Sequence, residues 1–455
     1  MGRVTTFFGL SEEKPEVTRL AATFSGLTLF TQAAVVISTT FYLIFVAEAL
    51  GNGDFNQGMA LVAILVVIQM AVQTLFDYPT GVIGDWIGQR YILATAFLTY
   101  ALAYFLVSLV TTSSPLWLLA LIYALTGFAG SQQSGALGSW FDNNWRVSMP
   151  EDEGRKQYGV FVGKLGMLIW FTNVLILVPG GVLAAIFGRP WVFQLQVILC
   201  ILISLLSVRL VKDLPEASAQ RQTKPTFDEY KSLLREGVKY LFSSRYVTYL
   251  LIGTMLVNSC ISVWGNLILF PMYYTYLLTD VAVAAMRTIV MLPLVFYSER
   301  SGVWAKRFKP EKWIPRFRFV QTCGAPPDDA PMIDYLLPGT DILILQVPLG
   351  SLLPVTLMIL AFFIGGVFWQ VAGVLTSRIF VDAIPNRVRN GVYSLFPTLV
   401  LLMGIPQILL FGWLISEVSI SSALILIGFV SIIGVLMIRR AFTFMPPEIE
   451  VPVPE

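Results

Sequence analysis

The stretch GVIGDWIGQR, Gly81–Arg90, interrupts a chain dominated by apolar runs, and its reading decides the fold. It sets Gly81, Gly84 and Gly88 around Asp85 and Arg90, a density of glycine and charge that hydrocarbon rarely accommodates. It reads as a surface connection between two membrane spans.

The flanks fix the solvent. Of 455 residues, 56% are apolar and 13% are charged. Runs of roughly 20 apolar residues or more, the length that crosses a bilayer, lie near 22–50, 57–80, 91–111, 115–141, 158–187, 190–211, 246–272, 279–299, 339–380, 391–415 and 419–438. Arg90, then Arg146, Arg155 and Lys156, then the basic residues from Lys212 to Arg245 and from Lys306 to Arg318, then Arg387 and Arg389, and finally Arg439 and Arg440 occupy alternate connections. The opposite connections hold only Arg189. Because Lys and Arg collect in cytoplasmic loops, both termini are expected on the cytoplasmic side of a cell membrane. An even number of crossings between the Arg318 and Arg387 clusters requires the 339–380 run to cross twice, turning near Pro354. The expectation is an all-α polytopic protein with 12 transmembrane helices.

Two six-helix halves, 1–211 and 246–440, flank a polar linker, 212–245, and a proline-rich acidic tail, 441–455, is expected to be disordered. In the linker, Thr226-Phe227-Asp228-Glu229 forms a capping box ahead of Tyr230, Leu233, Leu234, Val238 and Leu241 at helical spacing, so an amphipathic surface helix is expected. The second half repeats the first in fragments: GVWAKRFKPEK, Gly302–Lys312, follows the eighth span as Gly81–Arg90 follows the second. Asp328 and Asp329, beside prolines in QTCGAPPDDAP, 321–331, are costly in hydrocarbon. Residues 319–338 are therefore read as an aqueous or interfacial insert, with a short ninth span beginning after Gly339. No cleavable signal peptide is expected, since Glu12, Glu13 and Glu16 precede the first span without a short apolar core and cleavage site.

Composition excludes several classes. Without histidine, and with Cys200, Cys260 and Cys323 scattered, neither a zinc cage nor a disulfide framework is expected, and no cofactor. A net charge of +2, distributed by topology, argues against nucleic-acid binding. GVFVGK at 159–164 lacks the spacing and the Ser or Thr of a phosphate loop, so an enzyme or ATP-driven pump is not expected.

Gly81, Asp85, Gly88 and Arg90 match the loop signature of the major facilitator superfamily, which the chain resembles; Trp86, Gln89 and Tyr91 stand where that family often has basic residues. FDYPTG, 76–81, is similar to the acid-x-Pro-Thr-Gly ending of the second helix in one drug-efflux-like branch, with Asp77 in place of glutamate. SGALGSWFDNN, 134–144, and SRIFVDAIPNRVRNGVYSL, 377–395, resemble its fourth-helix ending and its loop between helices ten and eleven. Pro179, Gly180 and Gly181 lack the Gly-Pro step of the antiporter motif on the fifth helix, which leaves export by antiport open. The resemblance implies that Asp85 caps the start of the eleventh helix, near Asn390 and Gly391, where a carboxylate gains about 0.3–1 kcal/mol from the helix dipole. With Arg90, Arg387 and Arg389 it would form a cytoplasmic gate.

A transport path needs polar groups inside the spans. Gln69, Gln73 and Asp77 share one face of the second helix at i, i+4 and i+8, and Asn258, Ser262 and Asn266 repeat that spacing on the seventh. Gln132, Gln133, Asn173, Trp264, Trp369 and Gln370 are further cavity candidates, and Asp77 is the coupling candidate. For each amide, interhelical packing is the competing reading. Lys164 and Arg287 either snorkel to the interface or bind an anionic group.

These residues point to a secondary transporter working by alternating access, monomeric, carrying small amphiphilic or drug-like solutes, with protons as a candidate coupling partner. Uptake of a sugar or organic acid is the alternative, and a non-transporting membrane receptor or scaffold is the alternative from another class.

Overall fold

The computed structural model describes residues 6–10, 14–152, 156–219, 242–307, 332–336, 343–348 and 386–445, with single positions between them. Helices α1 (Pro15–Val36), α2 (Tyr42–Leu50), α3 (Phe55–Ile87), α4 (Gln89–Ser108), α5 (Leu116–Ser148), α6 (Lys156–Phe187) and α7 (Arg189–Leu210) precede a five-residue helix, Pro215–Ala219. After the linker come α8 (Arg245–Val263), a π-helical turn (Trp264–Ile268), α9 (Leu269–Leu277), α10 (Asp280–Arg307), α11 (Asn386–Glu417) and α12 (Ile420–Ala441). Among the described residues, seven helical stretches are long and apolar enough to cross a membrane.

Local chemistry sets the helix ends. Asp54 accepts from the Asn56 amide at the start of α3 (2.9 Å), Ser244 from Val247 at α8 (3.2 Å), and Ser419 from Ser422 at α12 (3.1 Å). Asp152 takes both the Gln157 and Tyr158 amides at α6, each at 3.0 Å. Helix faces then sort by burial: on α4, Phe97, Tyr100 and Tyr104 are buried while Leu98, Leu102 and Phe105 are exposed, as lipid contact requires.

The expected first span, 22–50, is broken at 37–41 into α1 and α2. The carbonyl of Ala34, in the last turn of α1, accepts from Gln196 Nε2 at 2.7 Å, a partner for a helix-end group that would otherwise stand bare.

The expected start of the ninth span is corrected. Met332–Leu336 and Leu343–Pro348 form strands β1 and β2, paired antiparallel from Met332 opposite Pro348 to Leu336 opposite Leu343. Ile333, Ile344 and Val347 favour extended backbone, and Pro338 and Gly339 are turn formers lying between the strands. A short apolar run reads alike as strand or helix by hydropathy. The linker helix, the second crossing near Pro354 and the tail beyond Met445 lie outside the described residues.

The chain divides into two compact units. One holds Met1–Lys224, Tyr273–Glu299 and Pro331–Leu349; the other holds Pro225–Met272, Arg300–Ala330 and Gly350–Glu455. The start of α10 thus clusters with the amino-terminal helices. In the second unit, α8 and α12 meet at Gly253 and Gly434, where a Cβ on Gly253 would stand 2.8 Å from the Gly434 carbonyl.

Candidate functional site

The Gly81–Arg90 connection is almost entirely helix. α3 continues to Ile87, Gly88 alone reverses the chain at φ 105, and α4 begins at Gln89. A positive φ of that size excludes ordinary side chains, which explains a glycine there. Asp85 occupies the last turn of α3, where the helix dipole disfavours a carboxylate by about 0.3–1 kcal/mol. Arg90 donates to the Tyr91 hydroxyl (2.8 Å) and lies 4.5 Å from its ring centroid. The side chains of Asp85, Arg387 and Arg389 lie outside the described residues; the latter two start α11. Gly81 is exposed with open space where a Cβ would stand, so packing does not explain it.

The Gln69, Gln73 and Asp77 face runs along α5. A Cβ on Gly127 would stand 2.2 Å from the Gln69 carbonyl, one on Gly130 would stand 3.4 Å from the Gln73 amide, and Ser134 Oγ donates to Asp77 Oδ1 at 2.6 Å. Small residues at i, i+3 and i+7 let the two helices approach this closely. Thr80 Oγ1 bonds the Phe76 carbonyl (2.8 Å) and reaches the Ser131 carbonyl (3.3 Å). The FDYPTG and SGALGSWFDNN segments therefore meet. Gln69 and Gln73 are half-buried and Asp77 is exposed.

Two of the amide candidates stand differently. Gln132 on α5 and Asn173 on α6 are buried, at 7% and 8% exposure, and neither Gln132 Oε1 nor Asn173 Oδ1 has a hydrogen-bond partner among the described residues. Gln133 beside them is half-buried. Of the basic candidates, Lys164 Nζ donates to the Phe7 carbonyl, and Arg287 is half-buried on α10. Phe8 and Leu10, near Phe7 in sequence, are buried, Phe8 lying 4.6 Å from the Phe161 ring.

In the second unit, Asn266 Nδ2 donates to the Ser262 carbonyl (2.8 Å) across the π-helical turn, and Asn258 and Ser262 are half-buried. π turns interrupt α-helices often at functional positions. Gln407 on α11, a residue without a motif to mark it, donates to Ser259 Oγ at 2.8 Å. Trp264 opens the π turn; Trp369 and Gln370 lie outside the described residues.

A cluster that the sequence does not announce lies at the opposite end of α3 from Asp85. Arg189, the first residue of α7, places Nη1 2.6 Å from Glu48 Oε2, and its Nε and Nη2 grip both oxygens of Asp280 at 2.8 to 3.2 Å. The Tyr274 hydroxyl also donates to Asp280. Glu48 and Arg189 are visible in sequence as isolated charges, but that Arg189 is shared between Glu48 and Asp280 at the start of α10 is a tertiary fact. Asn144, the last residue of the SGALGSWFDNN segment, is fully buried; it accepts from the Leu214 amide (2.7 Å) and donates to Asp213 (3.2 Å), tying α5 to the segment after α7.

Among curated proteins, none matches this sequence. Solved structures do match in fold. The nucleoside transporter NupG superposes with a TM-score of 0.65 at 12% identity, covering 94% of this chain and 100% of its own. A D-xylose-proton symporter gives 0.63 at 16% identity, covering 93% and 96%. The inward-open xylose transporter XylE from E. coli gives 0.57 at 15%, covering 92% and 94%. The sequence description of the Major Facilitator Superfamily matches residues 24–326, more than half of the chain. With the helix order, the glycine-hinged turn after α3 and the polar face along α5, that match settles membership: the chain belongs to the major facilitator superfamily of membrane transporters.

Proposed function

We propose that the protein moves small amphiphilic organic solutes across a cell membrane by alternating access, and that Gln132 and Asn173 hold the solute. The unpartnered oxygens of these two buried amides carry the reading. A buried acceptor without a donor costs about 1–3 kcal/mol, a cost that a hydroxyl, amine or amide hydrogen of a bound solute relieves. Lys164 already has a protein partner, which favours a solute that is uncharged where it meets that side chain. Asp77, exposed and held by Ser134, is the proposed proton-coupling carboxylate. Asp85, Arg90, Arg387 and Arg389 form the proposed cytoplasmic gate, with Gly81 and Gly88 as its backbone. Asn258, Ser262 and Asn266 are further proposed solute contacts. The halves 1–211 and 246–440 rock about the linker 212–245, both termini face the cytoplasm, and the monomer is the working unit.

A second reading is uptake of a polar metabolite. Its support is the fold likeness to proteins whose names give a nucleoside and D-xylose as cargo.

The test is accumulation in an efflux-deficient host of fluorescent amphiphiles, a labelled nucleoside and a labelled pentose. Lower amphiphile accumulation with wild type, lost with Gln132→Ala or Asn173→Ala at equal membrane levels, is the expected result. Faster entry of the nucleoside or pentose would favour uptake instead, and no response from any compound would favour a non-transporting receptor.

A further inference from the structure

Arg189 is shared by two carboxylates, and the three charges sit on elements of different attachment. Glu48 on α2 and Arg189 on α7 belong to one packed block: the Phe41 and Phe45 rings lie tilted against the buried Phe193 of α7, with centroids 5.8 and 5.2 Å away. Asp280 and Tyr274 belong to the α9–α10 corner, six residues apart and hydrogen-bonded to each other. Between the block and the corner runs a smooth seam. A Cβ on Gly181 of α6 would stand 2.7 Å from the Asp280 carbonyl and 3.0 Å from Ala284 Cβ, and Thr288 Oγ1 reaches the Val174 carbonyl at 3.4 Å. The Tyr274 ring also reaches across, with the Arg189 guanidinium 5.7 Å from its centroid. What crosses the seam with direction is the two-pronged Arg189–Asp280 pair, whose side chains are 18% and 10% exposed.

Breaking such a pair normally strands two poorly hydrated charges, which makes it a permanent bond. Here neither would be stranded. Arg189 keeps Glu48 on its own side, and Asp280 keeps the Tyr274 hydroxyl on its own side. We propose that Arg189 and Asp280 form a latch between α7 and α10 that is built to open, with Glu48 and Tyr274 as the partners that hold each charge once it parts. The latch lies at the Phe55 end of α3, away from Asp85, so it closes the opposite mouth from the proposed gate. It rests on the alternating-access reading. Its distinctive content is the sign of one effect: removing the charge of Glu48 raises the cost of opening, because Arg189 then has nowhere to go, whereas removing that of Asp280 lowers it.

The experiment reads accessibility rather than transport. Thr288→Cys, two helical turns inside the latch, is placed in a background with Cys200, Cys260 and Cys323 changed to Ala. Its labelling by a membrane-impermeant maleimide is timed in whole cells and in inside-out vesicles, so that orientation does not matter. From the side bearing Arg189, Asp280→Asn should raise the rate by about 3-fold or more, and Glu48→Gln should lower it by about as much. Tyr274→Phe, a mild change, should lower it in the same sense. A Glu48→Gln rate that rises together with Asp280→Asn overturns the latch, since it makes Glu48 a plain structural partner. Equal rates in all variants overturn it too. No cargo is needed, so a failure here leaves the transport reading to its own assay.

Discussion

At the scale of single residues, burial and pairing separate roles that residue type alone confuses. Gln132, Asn173 and Gln196 are all buried with a side-chain oxygen that lacks a partner among the described residues, but Gln196 also donates its Nε2 to the Ala34 carbonyl and so holds a helix end. Truncating the first two to Ala should cost little stability, under about 1 kcal/mol, yet weaken solute binding roughly tenfold by removing a hydrogen bond to ligand. Thermal midpoints in detergent and binding by the responding solute check both halves of that statement. Gln196→Ala should lower the midpoint instead. Arg189→Gln leaves Glu48 and Asp280 facing each other without a cation, and a loss of about 3 kcal/mol is expected, read as a lower unfolding midpoint than Arg189→Lys gives. The sequence makes the polar residues of the spans easy to find, and the stripe Gln69, Gln73, Asp77 does share one face. It does not say what that face touches: Gly127, Gly130 and Ser134 opposite it emerge only when α3 and α5 are packed.

At the scale of elements, glycines set how close helices come. Gly180 lies against the Ile37 carbonyl, where an added Cβ would stand at 2.0 Å, and Gly127 lies as tightly against Gln69. Gly180→Ala and Gly127→Ala should each destabilise by about 1–3 kcal/mol through overpacking, measured by thermal unfolding, while Gly166→Ala, which meets open space, should be neutral. Gly88→Ala carries backbone strain of about 1–3 kcal/mol at φ 105. The span positions were legible because hydrophobic length is set by the bilayer. Two things were not. The break at 37–41 depends on Gln196 and Gly180, far away in the chain. The hairpin of β1 and β2 is too short for hydropathy to tell from a helix, and its pairing partner is itself.

At the scale of the whole molecule, the apolar composition, the alternation of basic connections and the Gly81–Arg90 turn were enough to reach the major facilitator fold. Cargo was not legible, since a single fold carries many chemistries and the residues that choose among them act through positions in space. Asp85, in the last turn of α3, is the proposed pivot of the conformational cycle. The most direct measurement is therefore the time course of accumulation of a responding solute in an efflux-deficient host, with wild type and Asp85→Asn at equal membrane levels. The account predicts that wild type changes the steady level and that Asp85→Asn abolishes the change while still folding. A variant that transports at the wild-type rate would contradict it.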